Sequence, residues 1–178
     1  MNSSPSILVG TAARVVWVRV EGKGSFLNAT GLKEFAKEMV NRGFREFIVD
    51  LQNCPLMDST FMGTLTGMAL RLRELGSGEL KLIRLNERNR DLLTNLGLDQ
   101  LMTLDQSTSG IPAAKQEQEV PTLGQAPAQA LPAATPDKQT QAETMLEAHQ
   151  DLVEANPANQ AKFKDVLEYL RQDLRAGH

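Results

Sequence analysis

The chain has 178 residues, of which 41% are hydrophobic and 23% charged, and its formal net charge is −3. This length accommodates one ordinary domain with appendages, and the apolar content is sufficient for a packed core. The small negative charge disfavours a nucleic-acid-binding surface. No apolar segment is long enough to cross a membrane, and the N-terminus lacks the pattern of a secretion signal, so we expect a cytoplasmic protein without membrane insertion.

Cysteine and histidine are scarce. The single cysteine, Cys54, excludes an internal disulfide and a cysteine metal site, and its position after an apolar strand predicts a buried thiol. The two histidines, His149 and His178, have no neighbours with the spacing of a metal site. We therefore expect no metal and no cofactor, and we interpret His149 as a residue at the boundary of an amphipathic helix face.

The first segments predict two strands and a helix. Arg14 to Val20, RVVWVRV, has the β-branched and aromatic character of a central strand, and the preceding SILVG is expected to pair with it as a hairpin. From Asn28 onward the apolar residues share one helical face. We expect a helix that Asn28 caps and Gly43 ends.

Two further strand-helix units follow. Strand Arg45–Leu51 precedes a helix from Ser59 to Leu75, and strand Glu79–Leu85 precedes a helix that Asn86 caps; a last strand, LMTL, closes the pattern. Strands joined through helices of this length run mostly parallel. The prediction is a small α/β domain, with a mixed, mostly parallel sheet of about five strands and crossover helices.

Beyond residue 105 the composition changes. Residues 106–137 are rich in Pro, Ala, Gln and Thr and predict a linker, whereas residues 138–178 regain helical periodicity. Asn156-Pro157 separates two amphipathic helices, with Asn156 as the predicted cap of the second. Such a hairpin needs another surface to be stable. That surface is the α/β domain, a second copy of the chain in a homodimer, or a partner's helix or groove, and the sequence does not choose among them.

The pair Asp58-Ser59 stands directly before the second helix of the domain. Short oxygen-bearing side chains at this place accept hydrogen bonds from the first helical N–H groups, so the pair is typical of a helix cap. The serine hydroxyl could also be a chemical target, because a phosphate added there would meet the same N–H groups. Spacing alone favours the cap.

The order of the segments resembles a known family. REFIVDL, a Cys-Pro turn, MDST, LGSGELKLIRLN and LLTNLGLDQLM follow one another as in the STAS domain, named from sulfate transporters and anti-sigma-factor antagonists. In that family a strand ending in Asp-Leu leads to an Asp-Ser-Ser-Gly or Asp-Ser-Thr-Gly motif, which here reads Asp50-Leu51 and Asp58-Ser59-Thr60. The resemblance extends from about Ser6 to Leu104 and leaves out the linker and the hairpin.

The resemblance implies a non-catalytic, phosphorylation-controlled interaction module in bacterial signal transduction and transcription regulation. In relatives of the antagonist type, the unphosphorylated domain binds an anti-sigma factor that is also a serine kinase. Phosphorylation of the motif serine abolishes this binding, and a serine phosphatase restores it. On the matching positions Ser59 is the predicted phosphate acceptor and Thr60 the second choice, and Asp58 is the orienting neighbour.

The resemblance further implies a partner-binding surface made of Asn28, Asp58, Ser59, Thr60, Phe61 and Met62. Phe61 stands where the family commonly has glycine, whereas Gly63 matches the second glycine of the pattern. We expect the ring of Phe61 to alter the surface that a partner contacts. Two alternatives stay open: a constitutive STAS-type accessory subunit of a lipid-transport ATPase, and direct binding of a nucleotide or lipid.

Overall fold

A computed structural model of the chain describes residues 6–105, 129–131 and 136–176. Its strands form one six-stranded sheet in the order β5-β4-β3-β2-β1-β6. The strands are β1 (Ser6–Ala12), β2 (Val15–Glu21), β3 (Glu46–Asp50), β4 (Glu79–Ile83), β5 (Thr103–Leu104) and β6 (Gln129–Ala130), and the α-helices are α1 (Phe26–Asn41), α2 (Ser59–Glu74), α3 (Glu87–Asn95), α4 (Lys138–Ala155) and α5 (Asn159–Ala176).

The sheet confirms the predicted α/β architecture. β1 and β2 form an antiparallel hairpin, and β2, β3, β4 and β5 are parallel, with Val18 beside Val49 and Val49 beside Leu82. Alternate residues of a strand face opposite sides of the sheet. Val18, Val49 and Leu82 therefore belong to the main core, which the sheet shares with the helices, while Trp17 lies in a small separate cluster.

A glycine follows each of the first three helices, as predicted for Gly43 after α1. Gly43, Gly76 and Gly97 follow α1, α2 and α3 and have φ values of 100°, 78° and 75°, which glycine adopts without the steric cost of a Cβ. The predicted buried thiol is also confirmed, because Cys54 is fully buried and burial raises its pKa.

The predicted cap of α1 was wrong, and the segment predicted as linker contains a short strand. α1 begins at Phe26 and is capped by Ser25, and Asn28 completes a capping box by accepting the backbone N–H of Ser25 at 2.9 Å. The first apolar residues of α1 are exposed, so the apolar pattern from which Asn28 was chosen starts late. The sixth strand, β6, falls within the segment predicted as linker and pairs with β1. Residues 106–128 and 132–135 of that segment lie outside the described residues.

The hairpin of α4 and α5 packs on the α/β domain of its own chain. Leu152 of α4 is fully buried in the main core. At the turn, the Asn159 amide donates to the carbonyls of Leu96 and Leu152 at 3.0 and 2.9 Å, and the Lys162 ammonium donates to the carbonyl of Asn95 at 2.9 Å. The hairpin thus satisfies carbonyls at the C-terminal end of α3.

The break between α4 and α5 differs slightly from its prediction. The Asn156 side chain accepts the N–H of Ala158 at 3.2 Å, as a capping residue does, but the helix itself begins at Asn159. Within the part of the chain that the structure describes, no helix combines the length and apolar character of a membrane span.

Candidate functional site

The site begins with Asp58, which lies between the N-termini of two helices. One carboxylate oxygen accepts the N–H of Phe61 in α2 at 2.8 Å, and the other accepts the N–H of Phe26 in α1 at 2.9 Å. Free N–H groups in the first turn of a helix need such acceptors. Asp58 is therefore a cap, as its spacing predicts, and it also ties α1 to α2.

The loop before α1 and the loop before α2 are joined along their backbones. The N–H of Asp58 donates to the carbonyl of Gly24 at 2.9 Å, and Gly24 forms a parallel bridge with Met57. A Cβ at Gly24 would lie 2.7 Å from the ring of Phe61. Only glycine fits at position 24, where the backbone lies against the Phe61 ring. The backbone bonds and this contact hold the two loops together next to Ser59.

Phe61 is not part of an exposed surface, and that prediction was wrong. Its side chain is fully buried, because the third position of α2 points into the core rather than toward a partner. Thr60 and Met62 are also buried in this structure, at 3% and 4% exposure. Of the six residues predicted to bind a partner, Asn28, Asp58 and Ser59 are half-buried.

Ser59, the first residue of α2, forms a hydrogen bond with the hairpin. Its Oγ lies 2.8 Å from Nε2 of His149, and Nδ1 of His149 lies 2.6 Å from the carbonyl oxygen of Met145. A carbonyl oxygen only accepts, so we assign the imidazole proton to Nδ1. In the neutral ring Nε2 is then an acceptor, and the Ser59 hydroxyl donates to it.

The surroundings of His149 favour this neutral form. The side chain is 2% exposed and lies edge-on to the ring of Phe163 in α5, with 5.1 Å between ring centroids. Burial lowers the pKa of His149 below its ordinary value, and the carbonyl of Met145 and the charge of Asp58 oppose this shift. The imidazole is therefore an uncharged partner of Ser59.

The position of His149 corrects one prediction. The sequence predicts a residue at the boundary of a helix face, but the structure buries the side chain and places it against Ser59. His149 and Ser59 are 90 residues apart in the chain. Their contact depends on where the hairpin docks, which the periodicity of α4 does not specify.

Below Ser59, two glycines of α2 allow α4 to approach closely. A Cβ at Gly63 would lie 2.3 Å from the backbone oxygen of Ala148, and a Cβ at Gly67 would lie 2.5 Å from a carboxylate oxygen of Asp151. Both distances are shorter than atoms tolerate. Gly63 therefore permits backbone contact between the two helices, and a larger residue there would separate them.

α4 lies in a groove between α1 and α2, and polar contacts join it to α1. The hydroxyls of Thr30 and Thr144, both buried, are 2.9 Å apart, and Lys33 forms an ion pair with Glu147. Next to them is a cavity of about 390 Å³ whose lining includes Gly67 and Asp151. Burial and the nearby carboxylates of Glu147, Glu154 and Glu74 raise the pKa of Asp151 to about 7, and Lys33 opposes the shift.

Asp50, the acidic residue of the Asp-Leu pair in the sequence pattern, has a structural position. It is 1% exposed, accepts a hydrogen bond from Arg84 at 2.6 Å and pairs with Arg19 at 3.4 Å. A buried carboxylate requires such partners. Asp50 holds the ends of β2, β3 and β4 together and is not in the groups around Ser59.

The chemistry of the serine-histidine contact has two readings. A hydroxyl that donates to a neutral imidazole is the arrangement of an activated nucleophile, and it is equally a sequestered modification site. The cavity beside Asp151 is lined by neither Ser59 nor His149. Among residues 6–105, 129–131 and 136–176, no cluster of three or more His, Cys, Asp or Glu side chains could hold a metal ion. The geometry favours sequestration.

Comparison with solved structures identifies the same fold. A Thermotoga maritima protein, TM1081, a candidate anti-sigma factor antagonist, matches with a TM-score of 0.53 and 19% identity over 64% of this chain and 93% of its own. The anti-sigma factor antagonist SpoIIAA in its unphosphorylated form matches with a TM-score of 0.50 and 16% identity over 64% of this chain and 98% of its own. No curated protein matches the sequence.

The family comparison agrees with these likenesses. The STAS domain model matches residues 6–110, which contain the sheet from β1 to β5, the helices α1 to α3 and the Asp58-Ser59 pair. The hairpin of α4 and α5 lies outside the match. The chain belongs to the STAS domain family.

Proposed function

We propose that this protein is an anti-sigma-factor antagonist whose binding is controlled at Ser59. The unphosphorylated protein binds an anti-sigma factor that is also a serine kinase, and so regulates transcription indirectly in the bacterial cytoplasm. Phosphorylation of Ser59 releases the partner, and a serine phosphatase reverses the change. The protein itself acts by binding and needs no cofactor.

The observation that carries this proposal is that Asp58 caps the helices while the Ser59 hydroxyl does not take part in capping. Asp58 accepts the N–H groups of both Phe61 and Phe26, so the capping function does not need the serine. The Ser59 hydroxyl instead bonds to His149, outside the family match. Modification of Ser59 therefore leaves the helix caps and the core of the α/β domain in place.

A phosphate at the start of α2 fits the chemistry of that place. It brings nearly two negative charges and three acceptor oxygens, which the N–H groups and the dipole at the N-terminus of a helix favour. A partner that docks on the neutral hydroxyl meets a dianion next to Asp58 after phosphorylation. Desolvating that charge without a cation costs a few kcal/mol, so we expect binding to weaken by about a hundredfold or more.

Thr60 is the weaker candidate for phosphorylation. Its side chain is 3% exposed, one position further into the first turn of α2, whereas Ser59 is half-buried. A kinase needs an accessible hydroxyl, and a phosphate at Thr60 would be placed against packed side chains. We therefore assign the modification to Ser59.

The proposal is tested by capture from the source cells. Wild-type protein, Ser59→Ala and Ser59→Asp are used as baits, and the phosphosites of the native protein are mapped by mass spectrometry. We expect wild type and Ser59→Ala to capture a serine kinase and Ser59→Asp not to capture it. We also expect mass spectrometry to find phosphate on Ser59 of the native protein. Phosphate elsewhere, or equal capture by Ser59→Ala and Ser59→Asp, contradicts the proposal. A transport ATPase captured equally by all three baits supports the accessory-subunit alternative instead.

A further inference from the structure

The hairpin occupies the part of α2 that the proposed switch needs. Ser59, Gly63 and Gly67 lie along one side of α2, and they meet His149, Ala148 and Asp151 of α4. Thr60 and Thr64 on the same helix are buried, whereas Ser59 is half-buried and its hydroxyl bonds to His149. A kinase or partner that engages this hydroxyl must break the bond to His149, which requires α4 to move.

The groove under α4 combines apolar packing with several polar contacts. Val40, Phe47 and Met68 line the cavity beside it, and its contacts with α4 include a hydroxyl pair, a serine-histidine bond and an ion pair. Permanent cores are built mainly from large apolar side chains, whereas surfaces that separate are more polar. Leu152 is the main fully buried apolar anchor on α4. The groove is therefore suited to an exchangeable occupant.

We propose that α4 and α5 form an autoinhibitory cover, which competes in cis for the α1–α2 groove and must leave before Ser59 is phosphorylated or bound. This inference rests on the proposed function of Ser59. In the closed state, with the hairpin docked, the Ser59 hydroxyl donates a hydrogen bond to His149. The open state exposes both the hydroxyl and the groove along Gly63 and Gly67.

Phosphate on Ser59 and closure of the hairpin exclude each other. The 2.8 Å between Oγ and Nε2 is one hydrogen-bond length and has no room for a phosphate group. His149 has little freedom to yield, because it is buried against Phe163. α4 also carries one lysine against four acidic side chains, so the dianion meets like charge. Phosphorylation therefore holds the cover open.

The groove also defines the kind of element that replaces α4. Gly63 admits the backbone of Ala148, which is possible only where a helix has a small residue opposite it. A partner that uses the same groove is expected to present a helix with Ala, Gly or Ser at this crossing. A hydrogen-bond acceptor next to the partner's small residue would accept the hydrogen bond that the Ser59 hydroxyl now donates to His149.

The cover and the groove belong to the same chain. Closure of α4 over the groove is therefore intramolecular and does not depend on the protein concentration. A partner must outcompete α4, so its apparent affinity falls by the fraction of molecules that are closed.

The test uses a matched pair of glycine-to-alanine variants in the full chain. Gly63→Ala places a Cβ against the backbone of Ala148, while Gly31→Ala in α1 has no atom within 4 Å of its Cβ. Both substitutions improve helix propensity, so neither weakens its own helix. Hydrogen exchange is followed separately in α4, α5 and the strands β2 and β3.

We expect exchange in α4 and α5 to be at least about tenfold faster in Gly63→Ala than in wild type, with β2 and β3 unchanged and Gly31→Ala unaffected. Equal protection of α4 in both variants overturns the proposal. Loss of protection in α4 together with β2 and β3 also overturns it, because the hairpin is then inseparable from the fold.

A second arm uses phosphoserine inserted at position 59 during synthesis, which does not depend on the glycine variants. We expect the same selective loss of protection in α4 and α5, and an unchanged pattern overturns the cover. This measurement needs no partner, so it fails independently of the proposed function. If the hairpin stays closed on the phosphorylated chain, the autoinhibition proposal is contradicted. The proposed release of a partner by phosphate on Ser59 is then still tested separately by capture.

Discussion

The two long sides of α2 differ in the residues they present. The side that faces the sheet carries Phe61, Leu65 and Leu72, all buried and apolar. The side that faces α4 carries Ser59, Gly63 and Gly67. One side of the helix therefore packs through large apolar side chains, and the other through glycines that let a second helix approach closely. On the proposed function, substitutions on the first side change stability and substitutions on the second change the docking of α4.

The largest effect is expected on the core side. Phe61→Ala removes a fully buried ring that also packs against Gly24, and we expect the free energy of unfolding to fall by about 3–5 kcal/mol. Urea denaturation followed by circular dichroism measures this change. Phe26→Ala is the matched control, because Phe26 is 36% exposed, and its change should stay below about 1 kcal/mol. Similar losses in both variants would contradict the assigned burial.

A smaller loss in the free energy of unfolding is expected at Asp58, at the N-terminus of α2. Asp58→Ala removes the acceptor for N–H groups of both α1 and α2, so we expect a loss of about 1–3 kcal/mol in the free energy of unfolding. Asp91→Ala on the exposed side of α3 is the control. If both variants unfold at the same urea concentration, Asp58 is not the joint between the helices.

Charge provides the next test of the α4 side. Asp151 has a pKa raised to about 7 when the hairpin is closed, so the closed state binds a proton more strongly than the open state. Closure is most favoured below the ordinary pKa of Asp151 and weakens as pH rises toward 7. Asp151→Asn removes the charge, and we expect it to stabilise closure at pH 8 by on the order of 1 kcal/mol.

The measurement for Asp151 is hydrogen exchange in α4 at pH 6 and 8, corrected for the intrinsic exchange rate. Wild type should lose protection between these values, and Asp151→Asn should lose less. Asp173→Asn on the exposed part of α5 is the control. His149 acts in the opposite direction, because its lowered pKa weakens closure as pH falls below its ordinary value near 6.5. The same change in protection from pH 6 to 8 in wild type and in Asp151→Asn would contradict the role of Asp151.

The smallest effect is expected at the hydroxyl pair between α1 and α4. Thr144→Val keeps the shape of the side chain but removes the hydrogen bond to Thr30, which leaves a buried hydroxyl without its partner. We expect the closed state to lose about 1 kcal/mol, seen as about fivefold faster exchange in α4. Thr94→Val on the exposed side of α3 serves as control. If exchange in α4 is equally fast in Thr144→Val and Thr94→Val, the hydrogen bond between Thr30 and Thr144 does not stabilise the closed state.

The sequence predicts the α/β domain well because local rules decide it. Strand alternation, the glycines after α1, α2 and α3, and the acceptor Asp58 before α2 each leave a pattern within a few residues. The capping residue of α1 was misplaced because Phe26 and Leu27 are exposed apolar residues at the helix start. The apolar period therefore begins after the true cap, Ser25.

The candidate site is harder to predict because it joins distant segments. Nothing near Ser59 in the sequence points to His149, and the amphipathic pattern of α4 specifies only that one side is buried. Phe61 was assigned to a surface because the family pattern has glycine there, but its register on α2 places it in the core. Gly63 and Gly67, spaced four residues apart in α2, were the available signal for a closely packed helix.

In the proposed function, a phosphate on Ser59 weakens partner binding. The most direct test is calorimetric titration of the captured kinase into the full chain, once with serine and once with phosphoserine at position 59. We expect the dissociation constant to rise by about a hundredfold or more on phosphorylation. Equal dissociation constants for the two forms would contradict the account.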